Sequence, residues 1–182
     1  MPRTRPAASR DEKMDEILVE AERRLRGGGY EALSVAAIAR ELGLAQNAIY
    51  WYFPSKDDLF VATLNRMLEE IAARKPSKQA GELQRILWFT DQIQVLSGMR
   101  GAMNDRSRIS PVVAEFVERL DALLSRMLSN ALRDYVPAGE LSLAVDAFRA
   151  TADGAFVKGL DKRTRRKLLA FTLRQLTAGK LE

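Results

Sequence analysis

Apolar residues recur along most of this chain at intervals of three and four, the spacing of one face of an α-helix. Met14, Ile17, Leu18, Ala21 and Leu25 form the first stripe. Ser9 with Glu12 is a capping-box pattern at its start, and Gly27-Gly28-Gly29 ends it, predicting a helix of about 16 residues. Ser34 caps a short second helix carrying Val35, Ile38, Ala39 and Leu42, which Gly43 stops, and a third helix runs from near Ala45 to Tyr52. After Pro54, Ser55 with Asp58 opens a long helix with Leu59, Phe60, Ala62, Thr63, Met67 and Ile71 facing inward. Lys75-Pro76-Ser77-Lys78 reads as a linker, and Leu83, Ile86, Leu87, Thr90, Ile93 and Leu96 predict a further helix. The span 97–109, rich in Gly, Asn and Arg, reads as a loop or broken helix. Ser110-Pro111 opens the next stripe, from Val113 to Tyr135, and two last helices are expected near 140–159 and 163–178.

Composition agrees with an all-α fold of about nine helices, because Ala and Leu are abundant and Val and Ile sparse. The 182 residues contain neither cysteine nor histidine. That removes disulfides, thiolate nucleophiles, Cys- or His-based metal sites and the Ser-His-Asp triad. No cofactor is expected. An all-α enzyme working with carboxylates such as Asp91 and Asp146 remains as a remote alternative, without any paired-carboxylate motif behind it. The polar, basic start is unlike a secretory signal and no window is long and apolar enough for a membrane span, so a cytoplasmic protein without a membrane partner is expected. The net charge of +5 suggests a polyanionic partner until it is located. Residues 161–182 hold seven Lys or Arg and two acids, so the excess sits in the final helix, read as a solvated face or one that meets acidic surface across a dimer.

Residues 34–53, SVAAIARELGLAQNAIYWYF, carry the most information. A helix–turn–helix needs a small residue where the helices cross, a residue tolerant of left-handed backbone at the turn, and an apolar residue docking the second helix under the first. Ala39, Gly43 and Ile49 stand at those offsets. Together with Tyr50-x-Tyr52-Phe53-x-Ser55-Lys56-x-x-Leu59, this span resembles the DNA-binding domain of TetR-family transcriptional regulators, a likeness covering roughly residues 10–70. The resemblance implies a basic arm over 1–8, a three-helix DNA-binding domain over 9–54, and a helical effector-binding and dimerisation domain over 55–182. It also implies a ligand-responsive homodimeric repressor on a palindromic operator in double-stranded DNA; the alternative is an effector-independent regulator controlled by a protein partner. The chain departs from the family at Ala45, Asn47 and Ala48, where Ser or Thr, Gly, and Thr or Ser are usual.

Gln46 and Asn47, at the start of the recognition helix, are therefore expected to read bases, since amides pair bidentately with adenine. Tyr50 and Lys56 match the family residues that contact phosphate, and Ser34 presents a helix N-terminus to it. Trp51 either faces the groove or packs, and Tyr52 lies toward the outer rim. Arg3 and Arg5, with Arg10, either enter the minor groove or form a solvated terminus. Ala147, Thr151, Gly154 and Ala155, with Leu168 and Phe171, are the expected dimer contacts, because small residues at helical spacing allow close approach. Trp88, Phe89, Ile93, Met99, Met103, Phe116, Leu120, Met127 and Phe148 are candidates for a pocket taking a small apolar effector, or for ordinary core. Asp91 and Asp146 lie near these stripes and either orient a polar group or face water.

Overall fold

The computed structural model describes residues 10–77, 79–178 and 180. Among them every regular element is a helix: α1 (Arg10–Ala32), α2 (Val35–Glu41), α3 (Gln46–Tyr52), α4 (Lys56–Ala73), α5 (Glu82–Gln92), α6 (Gln94–Ser97), α7 (Arg100–Ser107), α8 (Pro111–Leu132), α9 (Leu141–Val157) and α10 (Lys162–Leu176). With α6 a single turn, this is the expected all-α fold. The glycine run breaks α1 as predicted, with Gly28 non-helical and Gly29 at φ +65°, although helical hydrogen bonding resumes as far as Ala32. Ser55 caps α4 by accepting from the N–H of Asp58 at 3.1 Å. Over the span 97–109 the outcome is the broken helix and not the loop: α6 ends at Ser97, and α7 is a regular eight-residue helix from Arg100. Met99 and Met103, one turn apart and buried, anchor it despite a composition that favours loops.

The chain forms two compact units, one comprising the residues up to Glu70 together with Gly98–Phe116, the other Ile71–Ser97 together with the residues from Val117 onward. In the first, α1 packs on α2 and α2 on α3. Ile17, Ala21, Leu25, Ile38, Ala39, Ile49, Leu59, Phe60 and Leu64 are buried at 2% exposure or less. The Arg66 guanidinium of α4 faces Asp15 and Glu22 of α1.

In the second unit α10 packs across α9 and α5. Leu87, Leu132, Val145, Phe148, Leu169 and Leu173 form the centre of its core. A buried ion pair fixes α10 on α5. Arg165 is fully buried, and its Nη2 donates to Asp91 Oδ1 at 3.3 Å and to the Gln94 side chain, while Nη1 donates to the Leu160 carbonyl. Arg166 adds a bond to Asp91 Oδ2, and the Lys162 ammonium stands 3.9 Å from the same oxygen. This corrects two sequence-based expectations. The basic start of α10 is not simply a solvated face, because a carboxylate one packed helix away draws Arg165 inside. Asp91 is committed to that pairing and is not free to orient an effector; Asp146 is exposed.

Removing one partner of a buried pair strands the other charge, at about 3–5 kcal/mol. Asp91→Ala should therefore lower unfolding stability by about that amount in urea titrations. Asp121→Ala, which removes the more exposed partner of Arg149, should lower it by less than about 1 kcal/mol.

Candidate nucleic-acid interface

The turn between α2 and α3 is closed by its own backbone. The Leu44 N–H bonds to the Ala39 carbonyl at 2.8 Å and the Gly43 N–H to the Arg40 carbonyl at 3.3 Å, with Gly43 at φ +64°. This is the Schellman arrangement, which needs a residue that tolerates left-handed backbone. At the other end of α2, Ser34 accepts from the Ala37 N–H at 3.2 Å. A seven-residue helix has little stability of its own, so α3 is oriented by what it docks. Ile49 is fully buried and Phe53, just past the helix end, is 6% exposed. With Ile49 inward, Gln46, Asn47, Tyr50 and Trp51 face water, Trp51 at 84% exposure. The helix starts at Ala45 with no side-chain cap, and Tyr52 is half-buried.

Elsewhere in the first unit a buried carboxylate ties several helices together. The Tyr30 hydroxyl donates to Asp57 Oδ1 at 2.6 Å, and Arg106 donates to both carboxylate oxygens at 3.1 and 2.6 Å. Tyr30 meets Phe60 edge-on at 4.9 Å between ring centroids, and the Lys56 ammonium sits 4.0 Å from the Tyr30 ring centroid. Burial works to raise the Asp57 carboxyl, but hydrogen bonds from Arg106, Tyr30 and Ser110 together outweigh it and hold the group below its ordinary value. Burial first, then the bond to Asp57, pushes the Tyr30 phenol up to about 12, so it remains a donor at neutral pH.

Residues 17–63 match the family described as "Bacterial regulatory proteins, tetR family". The matched stretch runs from within α1 into α4 and takes in the helix–turn–helix. The HTH-type transcriptional repressor KstR of Rhodococcus jostii (strain RHA1) is 30% identical over 124 residues, 65% of this chain and 58% of that repressor. The match therefore spans little more than half of that relative. A transcriptional regulator from Rhodococcus sp. Rha1 shares the fold, with TM-score 0.76 and 17% identity over 91% of this chain and 96% of that one. A transcriptional regulator from Saccharomonospora viridis, solved in complex with choline, shares it at TM-score 0.72 and 18% identity, over 91% and 97% of the two chains.

On this fold the expected DNA-facing residues fall into three groups. Ser34, Gln46, Asn47, Tyr50 and Trp51 are exposed; Tyr52 and Lys56 are half-buried; Arg3 and Arg5 lie outside the described residues. Sequence reasoning missed the Tyr30–Asp57–Arg106 network, because its members are 27 and 49 residues apart and no local pattern joins them. Of the pocket candidates, Met99, Met103 and Phe116 are buried in the first unit. In the second, Trp88, Phe89, Ile93 and Leu120 are half-buried, Met127 is 39% exposed, and Phe148 belongs to the core cluster.

A Cβ at position 43 would meet nothing within 4 Å, so the cost of Gly43→Ala is that of left-handed backbone alone, about 1–2 kcal/mol in thermal or urea unfolding. Asp57, with its folded value depressed, contributes stability that is fully present above its ordinary value of 3.8 and is lost as pH falls below it. The stability difference between wild type and Asp57→Asn should accordingly be constant near neutral pH and shrink below about pH 4 in acid unfolding curves.

Proposed function

We propose that the chain is a sequence-specific DNA-binding transcriptional regulator, a ligand-responsive repressor acting as a homodimer on a palindromic operator. The observation that carries this is the outward face of α3. Burial of Ile49 leaves two amides and two aromatic rings in water on the second helix of a helix–turn–helix, where such a helix meets base edges. Ser34, Tyr50 and Lys56 would supply phosphate contacts beside it, Tyr52 the rim, and Arg3 and Arg5 a minor-groove contact. Residues 9–54 would then serve as the DNA-binding domain and 55–182 as the regulatory one.

Dimerisation is supported by an unsatisfied face on α9. Leu143, Ala147, Ala150, Gly154 and Val157 recur at four-three spacing, with Leu143 71% and Val157 82% exposed. On α10, Phe171 is 55% exposed and Leu168 half-buried. Large apolar side chains left in water at the spacing of a helix seam fit a second copy related by a two-fold axis. Ala155 is buried within its own unit and Thr151 bonds back to the Ala147 carbonyl, so those two contribute less than Gly154.

For the effector, the half-buried Trp88, Phe89, Ile93 and Leu120 support a small, largely apolar molecule in the second unit. Binding there would bias the dimer toward an arrangement in which the two α3 helices no longer match successive major grooves. No helix among the described residues is long and apolar enough to cross a membrane.

Footprinting on a duplex enriched from a random library should reveal a two-fold symmetric protected site. Protection without symmetry, or none, would count against the reading. A Cβ at Gly154 meets nothing within 4 Å of its own chain, so Gly154→Phe should keep the fold and lower the dimer fraction in sedimentation equilibrium. An unaltered dimer would move the interface elsewhere.

A further inference from the structure

Every residue from Leu42 to Ser55 is uncharged, so the outward face of α3 presents amides and aromatic rings with no cation and no carboxylate. That composition restricts what it can discriminate in a major groove. Guanine offers two acceptors, O6 and N7, best matched by the forked donors of arginine or by lysine, and the cytosine amine is matched by a carboxylate. Neither side-chain type stands on this face. The nearest charged residues in sequence are Glu41, on α2, and Lys56, whose ammonium rests against the Tyr30 ring.

A primary amide fits adenine, donating to N7 while accepting from the N6 amine. Against guanine its carbonyl oxygen would meet O6, two acceptors face to face. Trp51 is 84% exposed and almost wholly apolar apart from its indole N–H. The apolar feature on the floor of the major groove is the thymine C5 methyl group.

We propose that the chain selects its operator through A·T pairs, with Gln46 and Asn47 each bonded to an adenine and Trp51 seated on a thymine methyl. The proposal rests on the DNA-binding reading above and adds the class of base pair that the face recognises. Its test is site selection from a randomised duplex library by the full chain, followed by titrations on single-position variants. Each half-site should carry adjacent A·T pairs, and replacing one with G·C should weaken binding about 5- to 150-fold. Gln46→Arg should move the preference at one such position to G·C while keeping the symmetry and spacing of the site. Deoxyuridine in place of the contacted thymine, which removes only the methyl group, should weaken the wild type about fourfold and leave Trp51→Ala unaffected. A consensus whose contacted pairs are G·C overturns A·T readout while leaving DNA binding intact. So does one indifferent to Gln46→Arg and to deoxyuridine at every half-site thymine. A library with no enrichment overturns both readings.

Discussion

The burial of Ile49 is the constraint from which the working surface follows. A helix of seven residues cannot hold its own shape in water, so α3 exists because one side chain on it is dry. Two other residues make that docking possible. Ala39, 2% exposed, keeps the crossing point small, and Gly43 turns the chain through left-handed backbone so that Leu44 can bond back to Ala39. Once Ile49 is committed inward, helical geometry leaves no choice about which side chains are left outside. The polar and aromatic character of the face is thus a by-product of an apolar contact on the opposite side of the helix.

Each compact unit also closes on a single carboxylate. Asp57 gathers Tyr30, Arg106 and Ser110, joining the end of α1 and the starts of α4 and α8 to α7. Asp91 gathers Arg165 and Arg166 and joins α5 to α10. Both use arginine, whose planar fork can bond two acceptors at once. Such pairs give little net stability over an apolar replacement of the same volume, yet they tolerate no partial loss, since one remaining charge would be stranded away from water. They therefore work as register marks, penalising any packing of these helices in which the partners miss each other.

Much of this was legible in the order of residues. The α2–α3 turn was predictable because its determinants are local: a cap at Ser34, a glycine four residues past Ala39 and an apolar residue six further on. The all-α class followed from periodicity and composition. What escaped was non-local or masked by composition. The eight residues of α7 left loop or broken helix open because Gly, Asn and Arg outnumber apolar positions, and two methionines one turn apart decide it for the helix. The interior position of Arg165 was invisible because it depends on Asp91, 74 residues away. Lys56 could be placed at the start of α4, but the ring it rests on belongs to a tyrosine beyond the break in α1.

The chain contains two tryptophans, and they fall in different units: Trp51 on the surface of the first, Trp88 half-buried in the second. Indole emission depends on how much water surrounds the ring, so the two contributions differ in colour and in access to soluble quenchers. The protein thus carries a separate optical label in each unit, and events at α3 and in the second unit can be told apart by light without attaching a dye.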